Sequence, residues 1–275
     1  MAQHYNTLGG VDYNESITSW RFRVKILRIH QYYSYVTGSD PHWIYVLADE
    51  HGDKMEMTIN ELTAETFEGL EKQEGKWVEI FRVKVDHAFG GFNATNTPYR
   101  LTSTSYTQVR IIDSLINRHD MEFKKIHEIP HISSRNRNYP INVSNRIENT
   151  YVVNIMGVVF NTEAHFDDPE VPKMVFYIRD NIESEIKCVA TYAHVYAFRD
   201  GFEILRGCGQ VIVVLKMWRI HRSFSYFGGS EEWLEIYCGL SDFCFNPRLE
   251  EVEEFRNSLN NSDPYVRRHG AMGPL

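Results

Sequence analysis

Cysteine is scarce and lopsided. Four occur in 275 residues, Cys188, Cys208, Cys238 and Cys244, all in the second half and without a Cys-x-x-Cys pair. Cys238 and Cys244 lack the second ligand pair that a tetrahedral zinc site requires, so reduced, mostly buried thiols are expected. No apolar run approaches the roughly 20 residues needed to span a bilayer. The amino terminus, MAQHYNTLGG, has no basic segment followed by an apolar one, which predicts a protein that is not secreted. A cationic excess is also lacking. The chain carries 29 Lys and Arg against 37 Asp and Glu, a net charge of -8, so any nucleic-acid footprint has to be local. There is no Gly-rich phosphate loop, nucleophile elbow or kinase motif set. His127 and His131 have helical metal-ligand spacing, but Pro130 lies between them. Asp49, Asp53 and Asp180 fall at hairpin turns, where Asp serves the backbone. Neither an enzyme nor a bound cofactor is expected.

Rings and β-branched side chains are abundant, with 16 Tyr, 16 Phe and 5 Trp, and they favour a β-rich fold. The organising stretch is WIYVLADEHGDKMEMTI, Trp43 to Ile59, which reads as two strands joined at His51-Gly52-Asp53. It recurs as MVFYIRDNIESEIKCVA, Met174 to Ala190, at an offset of domain size. In each copy an apolar run ends in an acid, a polar turn follows, and a second run alternates with period two. WRFRVKILRI supplies a first strand before the first copy, and KWVEIFRVKVDH and PYRLTSTSYTQVRII a fourth and fifth after it. Asn60 to Gln73 is predicted as a short helix between strands three and four. That order is the order of an OB-fold, a small Greek-key barrel.

The second half repeats it, with a helix in TYAHVYAFRDGFEIL that Gly201 is expected to end early and a closing amphipathic helix in RLEEVEEFRNSL. The expected fold class is all-β with short helices: two tandem OB-fold five-stranded Greek-key barrels. The expected boundaries are a polar lead-in over 1–17, a first barrel over 18–113 and a basic linker over 114–146. A second barrel with its closing helix follows over 147–260, then a disordered tail over 261–275.

Arg21, Arg23 and Lys25 share the outward face of strand one, and Arg82 and Lys84 that of strand four. At this point the chain resembles the tandem OB-fold DNA-binding region of the replication protein A large subunit, in its divergent plant-type relatives. The resemblance runs over roughly residues 15–260. It rests on WRFRVKILRI, VLADEHGDKMEMTINEL, YRLTSTSYTQV, VVNIMGVVF, YIRDNIESEIKCVATY and NPRLEEVEEFR, taken in that order and spacing.

The resemblance implies single-stranded DNA held in a groove across both barrels, with cations tracking the backbone and rings stacking on bases. Nuclear work in DNA replication, repair or recombination goes with it. By position, Lys25 and Lys84 match phosphate contacts, and Tyr99 and Phe227 match stacking rings. The ring the family places at the end of strand three is replaced by Ile59 in one half and Thr191 in the other, with Tyr192 next in line. The candidate nucleic-acid contacts are Arg21, Arg23, Lys25, Arg82, Lys84, Tyr99, Arg100, Tyr192, Arg219, Arg222, Phe227 and Trp233. The chain ends before the family's third, zinc-binding barrel, so a heterotrimer of that kind is not expected; nor is a membrane partner. Two other readings stand beside this one. One is single-stranded RNA, since stacking and phosphate tracking serve both polymers. The other is a degenerate OB module that binds protein, which the net charge and the missing rings favour.

Overall fold

The computed structural model describes residues 4–13, 20–32, 42–59, 65, 67–70, 73–88, 94–95, 97–115, 121–129, 152–165, 170, 172–205, 207, 209–224, 230–237 and 239–272. The chain forms two compact units, Met1–Met121 and Glu122–Leu275. In the first, the strands are β1 (Trp20–Tyr32), β2 (His42–Ala48), β3 (Lys54–Ile59), β4 (Trp77–His87), β5 (Tyr99–Thr102) and β6 (Gln108–Ile112). In the second they are β7 (Val152–His165), β8 (Lys173–Arg179), β9 (Glu185–Thr191), β10 (Val211–Phe224), β11 (Ser230–Glu235) and β12 (Asp242–Phe245). The pairing order β1-β2-β3-β5-β4 closes through β1–β4, and β7-β8-β9-β11-β10 closes through β7–β10. Each unit is therefore a closed five-stranded OB barrel, as the strand order predicts. The predicted fifth strand is broken in two in both, and its outer half (β6, β12) lies on the flank of strand four.

The break has a common cause. Strand four bends at one residue in the left-handed region, Arg82 (φ 58°) and Met217 (φ 53°), which turns a barrel corner as a bulge does. A hydroxyl from the interrupted fifth strand satisfies the displaced carbonyl in each case. Thr104 and Thr107 donate to Arg82 O at 3.0 and 2.9 Å, and Ser241 donates to Met217 O at 2.6 Å. The hairpin turns are also copied. Asp49 Oδ1 accepts from the amides of His51 and Asp53, and Asp180 Oδ1 from those of Ile182 and Ser184.

The segment before each barrel is part of it. Leu8 and Val11 are buried in the first core, Ile126 and Ile129 in the second. Asn6 N–H donates to Arg21 O, and Lys124 N–H donates to Asn154 O. Tyr5, Leu8 and Val11 thus match Phe123, Ile126 and Ile129, with the same three-residue spacing and the same attachment to the first strand. The polar lead-in is a plug, and residues 121–129, expected as linker, plug the second barrel. Residues 116–120 and 130–146 of that linker lie outside the described residues, as does most of the predicted helix over Asn60 to Gln73. Within the latter, Phe67 and Leu70 are buried in the first core.

Two expectations for the second unit are corrected. Helix α1 (Ala193–Leu205) runs straight through Gly201, because glycine there serves contact rather than termination. A Cβ at Gly201 would lie 2.9 Å from the Phe245 ring. The tail is helical over 263–269. After α2 (Glu250–Asn260), helix α3 (Asp263–His269) buries Tyr265 completely. Tyr265 OH donates to Gln210, and Arg268 pairs with Glu183 of the β8–β9 turn. The apolar side of α2, with Val252 and Leu259, joins Tyr265 and Met272 over Val158, Ile212 and Val214.

In the first barrel, His30 on β1 is 4% exposed. Burial pushes its imidazole down to about 4 from 6.5, helped by the nearby Arg28 charge and opposed by a backbone hydrogen bond at Gln31. Between those two values the unfolded chain binds the proton and the folded one does not, so stability falls as pH drops from 6.5 towards 4. The loss from this one group is about 3 kcal/mol. Urea unfolding of the first barrel at pH 7 and pH 4.5 should show most of it, and His30→Leu should reduce the difference.

Candidate nucleic-acid interface

In the second barrel, period-two alternation sends Met174, Phe176 and Ile178 of β8 and Ile186, Cys188 and Ala190 of β9 into the core. Between them Tyr177 and Lys187 face out, half-buried, while Val175 and Val189 are covered. Register then aligns one outward residue per strand: Tyr177 lies opposite Lys187, Lys187 beside Trp233, and Trp233 opposite His221. Three interstrand steps make this row about 14 Å long at about 4.8 Å per step. His221 stacks on Trp233 with centroids 5.4 Å apart and planes 12° apart. Lys187 Nζ lies 5.9 Å from the Trp233 ring. Phe160 of β7 extends the row, 6.1 Å from Tyr177. All five are half-buried, with bodies packed and faces open.

The electrostatics are mixed. Lys187 pairs with Glu231 at 2.9 Å, and that hydrogen bond raises its ammonium above the ordinary value against partial burial. His221 approaches Glu235 at 3.4 Å, yet burial and the Arg219 charge hold its ring below the ordinary histidine value despite that carboxylate. At neutral pH it is an uncharged, stacked ring. Trp233 Nε1 donates to Glu235 at 3.3 Å, fixing the indole. The row offers rings to bases and one principal cation to a backbone. The neighbouring carboxylates limit how many phosphates can approach.

The corresponding row in the first barrel is closed. Val46, Glu56, Arg100 and Asp86 occupy the same register on β2, β3, β5 and β4. Val46 is buried, Glu56 is 9% exposed, and Ala94 and Thr95 are buried beside it. Ala94 N–H donates to Glu56, whose carboxyl burial pushes up against the opposing pull of that hydrogen bond and of Arg100. Asp86 is held below the usual carboxylate range, despite burial, by hydrogen bonds from Lys84 and Thr102 and by the Arg100 charge. No ring is available at any of the four positions.

The sequence-predicted residues therefore divide among several places. Trp233 stands in the second-barrel row, and Arg219 beside it opposite Glu235. Arg222 is on β10 opposite Glu232, its side chain outside the described residues, as is all of Phe227. Tyr192 follows β9 in a left-handed conformation (φ 53°), 49% exposed. Thr191 ends β9 half-buried, and Ile59 is core. Arg100 belongs to the closed row, and Lys84, exposed two residues before Asp86 on β4, sets its Nζ 2.7 Å from that carboxylate. Tyr99 packs on His87 at 5.5 Å, and its hydroxyl donates to Asp12. Arg21, Arg23, Lys25 and Arg82 lie on another face of the first barrel, formed by β1, β4 and β6. Arg23 is paired there with Glu50 at 3.3 Å. Tyr177, Lys187, His221 and Phe160 escaped the sequence reading. The signal for the first two lay in the duplicated hairpin itself, as outward positions of its period-two pattern.

Among the described residues, no group of His, Cys, Asp or Glu is placed to hold a metal, and no helix is long and apolar enough to cross a membrane. Residues 11–132 match the family model described as "Domain of unknown function DUF223". No curated protein matches the sequence. Among solved structures, a replication protein A heterotrimer bound to ssDNA aligns at 14% identity with a TM-score of 0.55, over 98% of this chain and 56% of that one. This chain thus spans little more than half the length of that protein. A replication factor A related protein from Methanobacterium thermoautotrophicum aligns at 14% identity with a TM-score of 0.28, over 40% of this chain and 92% of that one. The Ifi202 HINa domain in complex with 20bp dsDNA aligns at 13% with a TM-score of 0.39, over 82% and 95%. In architecture, then, the chain is an OB-fold protein similar to replication protein A, with two barrels in tandem.

Proposed function

We propose that this chain binds single-stranded nucleic acid, DNA in the first instance, chiefly through the outward row of its second barrel. The observation that carries the reading is the register that lines up Tyr177, Lys187, Trp233 and His221 on the face where OB-folds take oligonucleotides. Ring faces accept any base, so sequence tolerance follows. The fold likeness to a protein solved with ssDNA supports the same reading. Work in replication, repair or recombination, a nuclear setting and the absence of catalysis belong to this proposal. So does function without the heterotrimer of the larger protein.

Titrating a fluorescein-labelled oligo-dT of about 25 nucleotides at low salt tests it. Saturable binding at micromolar protein is expected, with a shallow salt slope because few phosphates are neutralised. Lys187→Glu should weaken binding roughly tenfold and reduce the slope by about 0.7, the value of one single-strand phosphate contact. Absence of binding at about 50 µM protein, a concentration that reports even non-specific affinity, would remove the reading. An oligo-rU of equal length decides between the two polymers, since only it offers 2′-hydroxyls.

A further inference from the structure

The outward side of β8 continues past the row. Two residues beyond Tyr177 stands Arg179, half-buried and paired in register with Val158 of β7 and Glu185 of β9. Since Tyr177 lies opposite Lys187, Arg179 is the diagonal neighbour of Lys187, about 7–8 Å away across the strand pair and within reach of a long side chain. The Arg179 guanidinium lies over Phe160, 5.0 Å from the ring centre, and Phe160 is the ring that extends the row beside Tyr177. A second ring, that of Tyr265 on α3, lies 5.6 Å from the same guanidinium. Counting from the hairpin acids Asp49 and Asp180, the first barrel has Ala48 at this position, fully buried. The cation is therefore a feature of the second barrel alone, as the open row is.

Among the described residues Arg179 has no carboxylate partner, and its Nε is buried without a hydrogen-bond acceptor. A half-buried charge left in that state is costly, and the ring faces offset only part of the loss. The acid of the turn after β8, Glu183, is taken by the tail: it pairs with Arg268 and lies 3.4 Å from His269 Nε2. Glu185, opposite on β9, is exposed. The same tail places the guanidinium. Tyr265 is completely buried, and its hydroxyl accepts from Arg179 and donates to Gln210. Gln210 in turn donates to His269 O at 2.6 Å, and Ser262, just ahead of α3, donates to Asn181 O at 3.1 Å. Helix α3 is thus pinned to the β8–β9 turn at both ends, with Tyr265 between the two anchors.

We infer that Arg179 is a second backbone contact of the nucleic-acid row and that Tyr265 is its positioning residue, so that helix α3 belongs to the binding site as well as to the cover of the barrel. The assignment rests on the reading of the row as a single-strand surface. A phosphate supplies what the fold withholds from Arg179, two oxygens for the outer edge of its fork, while Phe160 and Tyr265 hold the plane of the guanidinium. Lys187 and Arg179 both border Tyr177, one across the strands and the other along β8. A nucleotide stacked on that ring therefore has a cation for the phosphate on each side of it.

The test uses the full chain and the fluorescein-labelled oligo-dT, titrated at several salt concentrations. Arg179→Ala should weaken binding about tenfold and lower the salt slope by about 0.7, one single-strand phosphate contact, and adding Lys187→Glu should bring that loss to about 1.4. Arg179→Lys should keep the slope but not all of the affinity, because an ammonium has no plane for the rings to hold. Tyr265→Phe keeps the buried ring and removes only the hydroxyl. It should weaken binding about threefold in the wild-type chain and not at all in Arg179→Ala, the non-additivity of a pair that acts together. A residue that only stabilises the barrel would move the urea midpoint and leave the slope alone. Arg179→Ala with an unchanged slope, whether or not affinity falls, overturns the contact. Equal losses from Tyr265→Phe in both backgrounds overturn the positioning. Both results leave the row standing, whereas a wild-type chain that does not bind the oligonucleotide removes the row and Arg179 with it.

Discussion

Replacing Trp233 with alanine is expected to lower the affinity for oligo-dT by about 10- to 100-fold, the 1–3 kcal/mol that one stacked base contributes. The indole sits in the middle of the row, between Lys187 and His221. Removing it deletes the best ring and also takes the partner from His221, which stacks 5.4 Å away. Trp233→Phe keeps a face but loses the Nε1 donor to Glu235 and should lie between the two. Fluorescence anisotropy at one low salt concentration separates the three proteins. The substitution is at the surface, so the urea midpoint should hardly move. Equal affinities for wild type and Trp233→Ala would show that the strand goes elsewhere.

Trp218→Ala should have the largest effect on stability, about 3–5 kcal/mol for the second barrel. Trp218 is fully buried, meets Phe176 edge-on at 5.7 Å, and donates its Nε1 to Asp242 O at 2.9 Å. Phe176 in turn stacks on Phe198 of α1 at 4.0 Å, and Phe198 meets Phe243 and Phe245 of β12 at 5.4 and 4.9 Å. One substitution therefore empties the ring cluster beneath strand four and frees the start of β12. Since a domain has only about 5–15 kcal/mol in hand, chemical denaturation should find the second transition much earlier or absent, while the first barrel unfolds as before. Trp218→Phe, which fills most of the space without the donor, should cost about half as much.

Most of the interior was legible in the amino-acid order, because strand interiors are written with period two. The hairpin copies, the inward sets of β1 and β4, and the closing helix α2 all follow from alternation or helical spacing. Two kinds of feature did not. The plug residues Tyr5, Leu8 and Val11 are embedded in a polar stretch, and three apolar positions at one spacing carry little weight until a second copy at Phe123, Ile126 and Ile129 is set beside them. Gly201 has a general cost in helices, and nothing local announces the Phe245 ring that requires it.

The candidate site was legible only in part, because a surface row is a property of register. Arg21, Arg23 and Lys25 are visibly aligned within one strand. That they belong to a different face from Lys84 and Arg100 depends on which strands lie beside them. Trp233 was within reach as an isolated aromatic, but its neighbours Lys187 and His221 come from strands 46 and 12 residues upstream of it. The buried carboxylate of Glu56 and the half-buried one of Asp86 are equally invisible to spacing, since the amide that Glu56 accepts from, Ala94 N–H, lies 38 residues further along the chain.

The paired plugs determine where the protein can be cut. A fragment begun at 147, where the strand pattern first invites a boundary, would leave Ile126 and Ile129 behind and open the floor of the second barrel to water. One begun at 122 carries its own stopper, and the same holds at the front, where trimming to Trp20 would unseat Leu8 and Val11. The natural module is longer than its sheet.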